Sequence, residues 1–492
     1  MKTIYSFLCN AVSRSLLVIA IIMAVSATNV FGQQTISLDL AIQATNRIPS
    51  TKIKKGENLV ITSVSCDTRS QKGFNYVLQA RTEDGKDVTI DLAKVREMPI
   101  IHDAVSKDSY WQYRTIQHTL PSLSSMTNAY ALRNKAETNA NSYIKTLRDN
   151  GLILEDPYLT SYLNSLLVKI NPSQRLDFFK YNFRVVVVKD DEPNAGIYPN
   201  GALLINTGML ARIHTEDELV ALLCHEANHF ICNHFLDNMS KMQKRESAGA
   251  ISSALLGAAA GIMTGSVSVG LRATSLALDV SDDLNKLISS MGLAFNQNQE
   301  KECDQAAVDL LPILGYDVNG MATCIQRIGN YYMEEGDLAA YYRSGNHPKI
   351  EDRIAATGVP YDKRDIEFEK KMAPCVTYIA QLMYTRGRYS QALQYVNQNI
   401  NNGVGRGIDY YIKGECMLAA YDSEETNMEA KKSLLKAKET YKDGLPTLKA
   451  LIITDLRLGD KEEAANWLNE FIELTKDNEE ERIWAQNMLM NL

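Results

Sequence analysis

The chain has little of several things. Its 492 residues hold only seven histidines and three tryptophans, and its eight cysteines form no Cys-x-x-Cys pair. That leaves no sequence basis for a cysteine-based zinc or thiol redox site, since both need paired thiolates at short spacing. Basic charge is also short. Lys and Arg number 52 against 59 Asp and Glu, a net charge of -7, with no clustered Lys/Arg run. Nothing in that balance attracts nucleic acid. Several long apolar spans are missing as well, which excludes an enzyme built from a bundle of membrane helices. What is present is ordinary for globular protein, 45% hydrophobic and 23% charged, with enough length for two or three cores.

The first residues read as an address. "MKTIYSFLCNAVSRSLLVIAIIMAVSATNVFGQQ" has a basic start, an apolar run from Leu16 to Val25, and small residues before Gln33. This predicts a secretory signal over 1–32, cleaved between Ala27 and Gln33; a retained N-terminal anchor is the alternative. Cys9 precedes the apolar run and is poorly placed to be a lipoprotein cysteine. Cleavage would leave seven cysteines, an odd number, so at least one is free or intermolecular. The expected location is across the inner membrane, in the periplasm.

Residues 33–107 look β-rich. "ENLVITSVSC" and "FNYVLQARTEDGKDVTIDL" alternate apolar and polar residues around an Asp84-Gly85 turn. Helical patterning is expected from about residue 120. In "EDPYLTSYLNSLLVKI", Asp156 is placed as N-cap and Pro157 at the first helical position. Val185 to Val188 and "GALLINTG" read as buried strands. "NAGIYPNG" between them mixes Pro, Asn and Gly as an edge strand would. From about 370 onward the chain is helical. "MYTRGRYSQALQYV" and "DLRLGDKEEAANWLNEF" share one spacing, and their glycines, Gly387 and Gly459, lie 72 residues apart. That is near twice the roughly 34-residue tetratricopeptide period. The alternative is a set of plain helical hairpins covering the preceding domain.

The chemistry concentrates in "ELVALLCHEANHFICNH", which contains His225-Glu226-x-x-His229. From composition alone, roughly 0.01 occurrences of that pattern are expected by chance. Thr215 and Glu218 predict a capping box at the start of this helix. Residues four apart on a helix share a face, so His225 and His229 can address one ion. Glu226, about 100° round the helix, can reach that ion's water. Leu219, Leu222, Leu223, Phe230 and Ile231 make most sides apolar. A metal-free core helix would therefore have to bury Glu226 unpaired, at a cost of several kcal/mol. His234 stands about 140° off the ligand face for as long as the helix continues, and is expected to be a packing or outer contact.

A catalytic zinc site needs a third protein ligand and one open position. In "NQEKECDQAAVDLL", Glu300 shares a helical face with Cys303, Asp304, Ala307, Val308 and Leu311, so it points inward. Glu302 shares its face with Gln305 and Asp309 and reads as solvated. Glu300 is the expected third ligand, and Asp304, one turn on, can take the outer N–H of a ligating histidine.

Taken together, "EDPYLTSYLNSL", "NAGIYPNGALLINTG", "HEANHFICNH", "EKECD" and "NHPKIEDRI" resemble the HtpX-like zinc metallopeptidases, a family that includes the CAAX prenyl endopeptidases. The resemblance covers about residues 150 to 360. It implies Glu300 as ligand and Asp304 as its outer partner, with Cys303 in place of the usual Ala. The tail adds likeness to periplasmic members whose tetratricopeptide module follows the protease domain. For a latent form the resemblance suggests His347, on a loop before Pro348, as a regulatory group; a surface turn is the alternative there. The β region finds no counterpart.

The expected fold is α+β, mostly α. It comprises a signal peptide (1–32), a small β-rich domain (33–107), a zincin-type zinc metalloprotease domain with a small sheet (108–365), and tetratricopeptide-like helical repeats (366–492). The expected activity is that of a gluzincin-pattern zinc metalloendopeptidase. One zinc is held by His225, His229 and Glu300, Glu226 and Asp304 serve the chemistry, and substrate backbone pairs near Asn194 and Ala195. The resemblance implies unfolded or misassembled envelope proteins as substrates, and the repeats imply a protein partner. The rival reading is a chaperone or assembly adaptor working through the tail, with a latent or structural zinc. "SAGAISSALLGAAAGIMTGSVSVGL", residues 247–271, carries no charge. It is read as a packed helix pair or lid beside the site, with membrane contact left open.

Overall fold

The computed structural model describes residues 33–67, 75–126, 128–171, 173, 176, 183–247, 295–336, 348–440 and 444–492. Residues 1–32, where a signal is expected, residues 248–271 of the uncharged stretch and His347 lie outside the described residues. No described helix is long and apolar enough to cross a membrane.

The alternating segments form a five-stranded antiparallel sheet: β1 (Gln33–Ala44), β2 (Asn58–Asp67), β3 (Asn75–Thr82), β4 (Asp87–Asp91) and β5 (Ile100–Ile101), in spatial order β4-β3-β2-β1-β5. Period-two patterning, with a register shift between Ile61 and Ser63, places Ile61, Val64, Tyr76, Leu78 and Ile90 on the buried side. They share one core with Trp111, Leu120 and Leu123 of the segment that follows.

Helix begins earlier than the expected residue 120. Ser106 caps α1 (Lys107–Arg114) by accepting from the Ser109 N–H. The rod continues through a π turn (Thr115–Thr119) into α2 (Leu120–Ser125). The polar and aromatic sequence of α1 hides its helical period, but Tyr110, Trp111 and Arg114 make one buried face. The Trp111 indole N–H donates to the Ile170 carbonyl at 2.7 Å. That bond ties α1 to the end of α4 (Pro157–Ile170), which follows α3 (Ala129–Asp149). Asp156 caps α4 through the Leu159 N–H at 2.9 Å, with Pro157 in the first turn.

A three-stranded sheet precedes the His-Glu-x-x-His helix. β6 (Arg184–Val188) runs parallel to the central strand β8 (Ala202–Asn206), and β7 (Ala195–Ile197) pairs antiparallel with β8 at the edge. After the short α5 (Thr207–Leu210) comes α6 (Glu216–Ile231), whose N-cap Thr215 accepts from the Glu218 N–H. Next are α7 (His234–Ser247), α8 (Gln297–Leu314), α9 (Gly320–Glu334) and α10 (Ile350–Thr357). α6 is buried almost throughout, and α8 and α9 pack along it.

The remaining described elements are helices: α11 (Ile366–Thr385), α12 (Tyr389–Asn401), α13 (Gly407–Ala420), α14 (Glu424–Thr440), α15 (Gly444–Leu458), α16 (Lys461–Leu474) and α17 (Glu479–Met490). Each packs mainly on its sequence neighbours, as a stacked array does. Gly387 and Gly459, the two glycines of the recurring spacing, occupy the turns after α11 and α15 at φ 71° and 76°, where side chains are disfavoured. Gly414 lies instead inside α13, where a Cβ would come within 2.6 Å of Leu434. Packing changes along the array. Phe368, Met372, Val376 and Ile379 of α11 belong to the same core as α6, whereas Leu434, Leu451, Leu468 and Phe471 form a second core.

Candidate metal centre

Three elements converge on His225 and His229. α6 presents both rings on one face, α8 packs along it, and β7 reaches the neighbouring Glu226 through Ile197. A capping box at Asn296 and Gln299 starts α8, so Glu300 falls in its first turn. The structure brings together His225, His229 and Glu300, as well as Glu226 and Asp304. The two imidazole Nε2 atoms are 3.2 Å apart. Glu300 Oε1 lies 3.4 Å from His229 Nε2, and its Oε2 3.8 Å from His225 Nε2. All three residues are buried.

The outer nitrogens fix the tautomers. His225 Nδ1 lies 2.9 Å from Asp304 Oδ1, a partner for a proton on Nδ1 that leaves Nε2 to face the site as a lone pair when the ring is neutral. His229 Nδ1 faces His234 Nδ1 at 3.0 Å, and Phe295 stacks on the His229 ring with centroids 3.8 Å apart. Burial pushes His229 down to about 3, outweighing the neighbouring Glu300 carboxylate, so this ring stays neutral. For His225 the order is reversed. Burial opposes the charged form, but the hydrogen bond and charge of Asp304, with Glu300 and Glu226, raise it above its usual value. The two Nε2 atoms and the Glu300 carboxylate converge closely enough to address one cation. Nitrogen, nitrogen and oxygen are the donor set zinc accepts. These residues fit a zinc ion.

Glu226 is not part of that set. Its Oε2 accepts the Ile197 N–H of β7 at 3.1 Å, and its Oε1 is 4.0 Å from His225 Nε2. Burial raises its carboxyl to about 7; His225 lowers it in part and Glu300 adds to the rise. A carboxyl poised near neutrality can both take and return a proton.

Of the two expected substrate contacts, Asn194 turns its carbonyl into the sheet, accepting the Asn206 N–H at 2.9 Å. Tyr198 N–H likewise donates to the Ala202 carbonyl. The antiparallel alternation then turns Ala195 and Ile197 to the outer edge of β7. Among the described residues that edge pairs with no other strand.

Sequence reasoning missed several groups. Arg353 on α10 makes a two-pronged contact with Asp304, at 2.8 and 2.7 Å, and its Nη2 is 3.7 Å from Glu300. The available signal was a charged residue on the face made by Ile350 and Thr357, inside "NHPKIEDRI". Asn228 Nδ2 donates to Cys303 Sγ at 3.2 Å, which gives the cysteine in the Glu300–Asp304 stretch a buried polar contact. Glu302 corrects the expectation of a solvated side chain. It is half-buried and pairs with Arg114, His118 and His234. Its helical neighbours Gln305 and Asp309 are polar, but α1 and the π turn cover this end of α8. His234 reaches His229 because α6 stops. Asn233 takes φ 60° and redirects the chain into α7, a conformation Asn tolerates.

A small sheet with its edge strand beside a buried His-Glu-x-x-His helix, and a glutamate from the next long helix, define a zincin-type metallopeptidase domain. Residues 154–358 match the sequence model of Peptidase family M48, and the chain carries a domain of that family. It is similar to a putative beta-barrel assembly-enhancing protease of Vibrio cholerae, 24% identical over 215 residues, covering 43% of this chain and 41% of that protein. The beta-barrel assembly-enhancing protease of Escherichia coli (strain K12) is 25% identical over 219 residues, with the same shares. The mitochondrial metalloendopeptidase OMA1 of Schizosaccharomyces pombe is 25% identical over 197 residues, covering 40% of this chain and 51% of OMA1. The chain thus spans about two fifths of the length of the two bacterial relatives.

Proposed function

We propose that this chain is a secreted, periplasmic zinc metalloendopeptidase that cleaves unfolded or misassembled envelope polypeptides. The observation that carries the reading is the pair of facing His225 and His229 Nε2 atoms closed by Glu300, with the Glu226 carboxyl beside them. A zinc bound there supplies a polarised carbonyl and an acidified water. The chain's own groups do the rest. Asp304 and Arg353 hold the His225 ring, and Phe295 covers His229. Glu226, fixed by the Ile197 N–H, takes a proton from water at its free oxygen and returns it to the leaving amine. The outward Ala195 backbone pairs with an extended substrate, which lays the scissile bond between β7 and α6.

Envelope proteins as substrates are supported by the names of the bacterial relatives, which join proteolysis to β-barrel assembly. Purified full-length protein is expected to hold one zinc per chain and to digest casein, with both lost in the His225→Ala/His229→Ala double variant. Unchanged zinc in that variant refutes the site.

The adaptor reading keeps one observation in its favour, the second core of the tail. Repeats with their own core can hold a partner independently of the protease. Deleting 424–492 is expected to spare zinc binding while weakening capture of a protein partner. Deleting from 366 removes α11 from the shared core and is expected to unfold the protease domain. Equal loss of zinc in both truncations would show instead that the whole tail is structural cover.

A further inference from the structure

Residues 107–125 precede the matched family domain, which begins at 154, yet they reach the back of the metal centre. We propose that Arg114 and His118 are positioning residues for that centre, acting through Glu302 and His234 to hold the His229 ring. The proposal rests on the reading of His225, His229 and Glu300 as zinc ligands.

The contacts form one chain. Arg114 Nη2 bonds Glu302 Oε1 and lies 3.2 Å from Cys232 Sγ, while its Nε donates to Asn228 Oδ1 at 3.3 Å. His118 Nε2 is 2.8 Å from the same Glu302 oxygen. The other oxygen, Oε2, lies 3.3 Å from His234 Nε2, and His234 Nδ1 is 3.0 Å from His229 Nδ1.

If His229 Nε2 is to face the site as a ligand, the contacts of the series fix one proton arrangement. The carboxylate accepts from His234 Nε2–H, which leaves His234 Nδ1 as acceptor for His229 Nδ1–H. His229 Nε2 is then the lone pair facing the site. On the other ligand Asp304 does the same work for His225 directly. For His229 the carboxylate stands one imidazole further back, and a half-buried glutamate needs an anchor to keep its direction.

The N-terminal segment supplies that anchor. The π turn at Thr115–Thr119 widens the helix where Arg114 and His118 meet Glu302; such turns recur at functional sites. Thr119 donates to the Ile231 carbonyl at the end of α6, and Ser122 to Asp237 on α7 at 2.7 Å. These bonds lock the segment across the α6–α7 junction that delivers His234. His118, Cys232 and Glu302 also sit close enough together to suggest a second cation site. The Arg114 guanidinium already bonds both the thiol and the carboxylate there, and its charge repels a metal.

The test uses the full-length zinc protein and its cobalt-substituted form. His234→Ala is expected to speed zinc loss to a chelator by roughly 10–100-fold and to shift the cobalt visible bands, because outer partners of ligating histidines carry that much affinity. Glu302→Gln and Arg114→Met should give smaller changes of the same sign, with Arg114→Lys in between. In the His234→Ala background, Arg114→Met should add nothing further. Unchanged zinc release and cobalt spectra in folded Arg114→Met and Glu302→Gln overturn the proposal, as does full additivity with His234→Ala. A merely structural role would lower the unfolding midpoint and leave the cobalt bands in place. Absence of zinc from the wild type overturns the ligand reading itself, and this proposal with it.

Discussion

Glu226→Gln is expected to lower hydrolysis of an unfolded polypeptide by roughly 10²–10⁴-fold while leaving zinc content and fold unchanged. The substitution is nearly isosteric. The amide oxygen can still accept the Ile197 N–H that now reaches Glu226 Oε2 at 3.1 Å, so β7 and α6 keep their spacing. What is lost is the ability to take a proton. Burial holds the native carboxyl near 7, where both of its forms are present at neutral pH, and an amide has no such pair of forms. Removing a carboxyl that burial raises also removes a strained group, so the unfolding midpoint should not fall. The measurement is kcat/KM on casein beside zinc analysis of the same sample. Hydrolysis at the native rate by zinc-loaded Glu226→Gln would remove Glu226 from the chemistry. A wild type that holds zinc and a partner yet cleaves nothing would favour the adaptor.

How much of this was legible in the sequence follows from how local each signal is. His225, Glu226 and His229 lie within one and a half turns of one helix, and Glu300 and Asp304 within one turn of another. Periodicity alone therefore put each set on a face. The edge position of β7 was legible because Gly196 sits within its short register with β8 and Pro199 lies just beyond it. The array of helices was legible from Gly387 and Gly459, whose left-handed turns admit few other residues. The groups that were missed act across long separations. Arg114 meets Glu302 188 positions away, and Arg353 meets Asp304 49 positions away. Neither arginine carries a local pattern that says which carboxylate it will face. Glu302 failed for the same reason: its own helix offers polar neighbours, and only the packing of α1 and the π turn converts it into a half-buried anchor. His234 depended on one backbone choice, the left-handed Asn233, which no helical period could announce.

Arg353→Met is expected to cost about 3–5 kcal/mol of stability, because it leaves the Asp304 carboxylate buried without its cation. Both residues are almost fully enclosed, and the guanidinium fork contacts both Asp304 oxygens. Burial alone would raise the Asp304 carboxyl. The charge and hydrogen bonds of Arg353, with that of His225, outweigh it and hold the group at about 2. A carboxyl depressed in the folded state contributes stability that is fully present above its unfolded value of 3.8 and is lost as pH falls toward 2. A shift of that size corresponds to about 2 kcal/mol. Metal-free wild type should therefore lose stability over this window. Arg353→Met, which lacks the depression, should begin lower and show a flatter acid limb. The double variant Arg353→Met/Asp304→Asn is expected to recover part of the loss, since no charge is left buried and the amide oxygen still accepts from His225 Nδ1. Urea midpoints of the metal-free proteins at neutral and acid pH measure all three effects. If Arg353→Met and wild type unfold at the same urea concentration, the Arg353–Asp304 pair is not what holds α10 against α8, and Asp304 orients His225 without the guanidinium behind it.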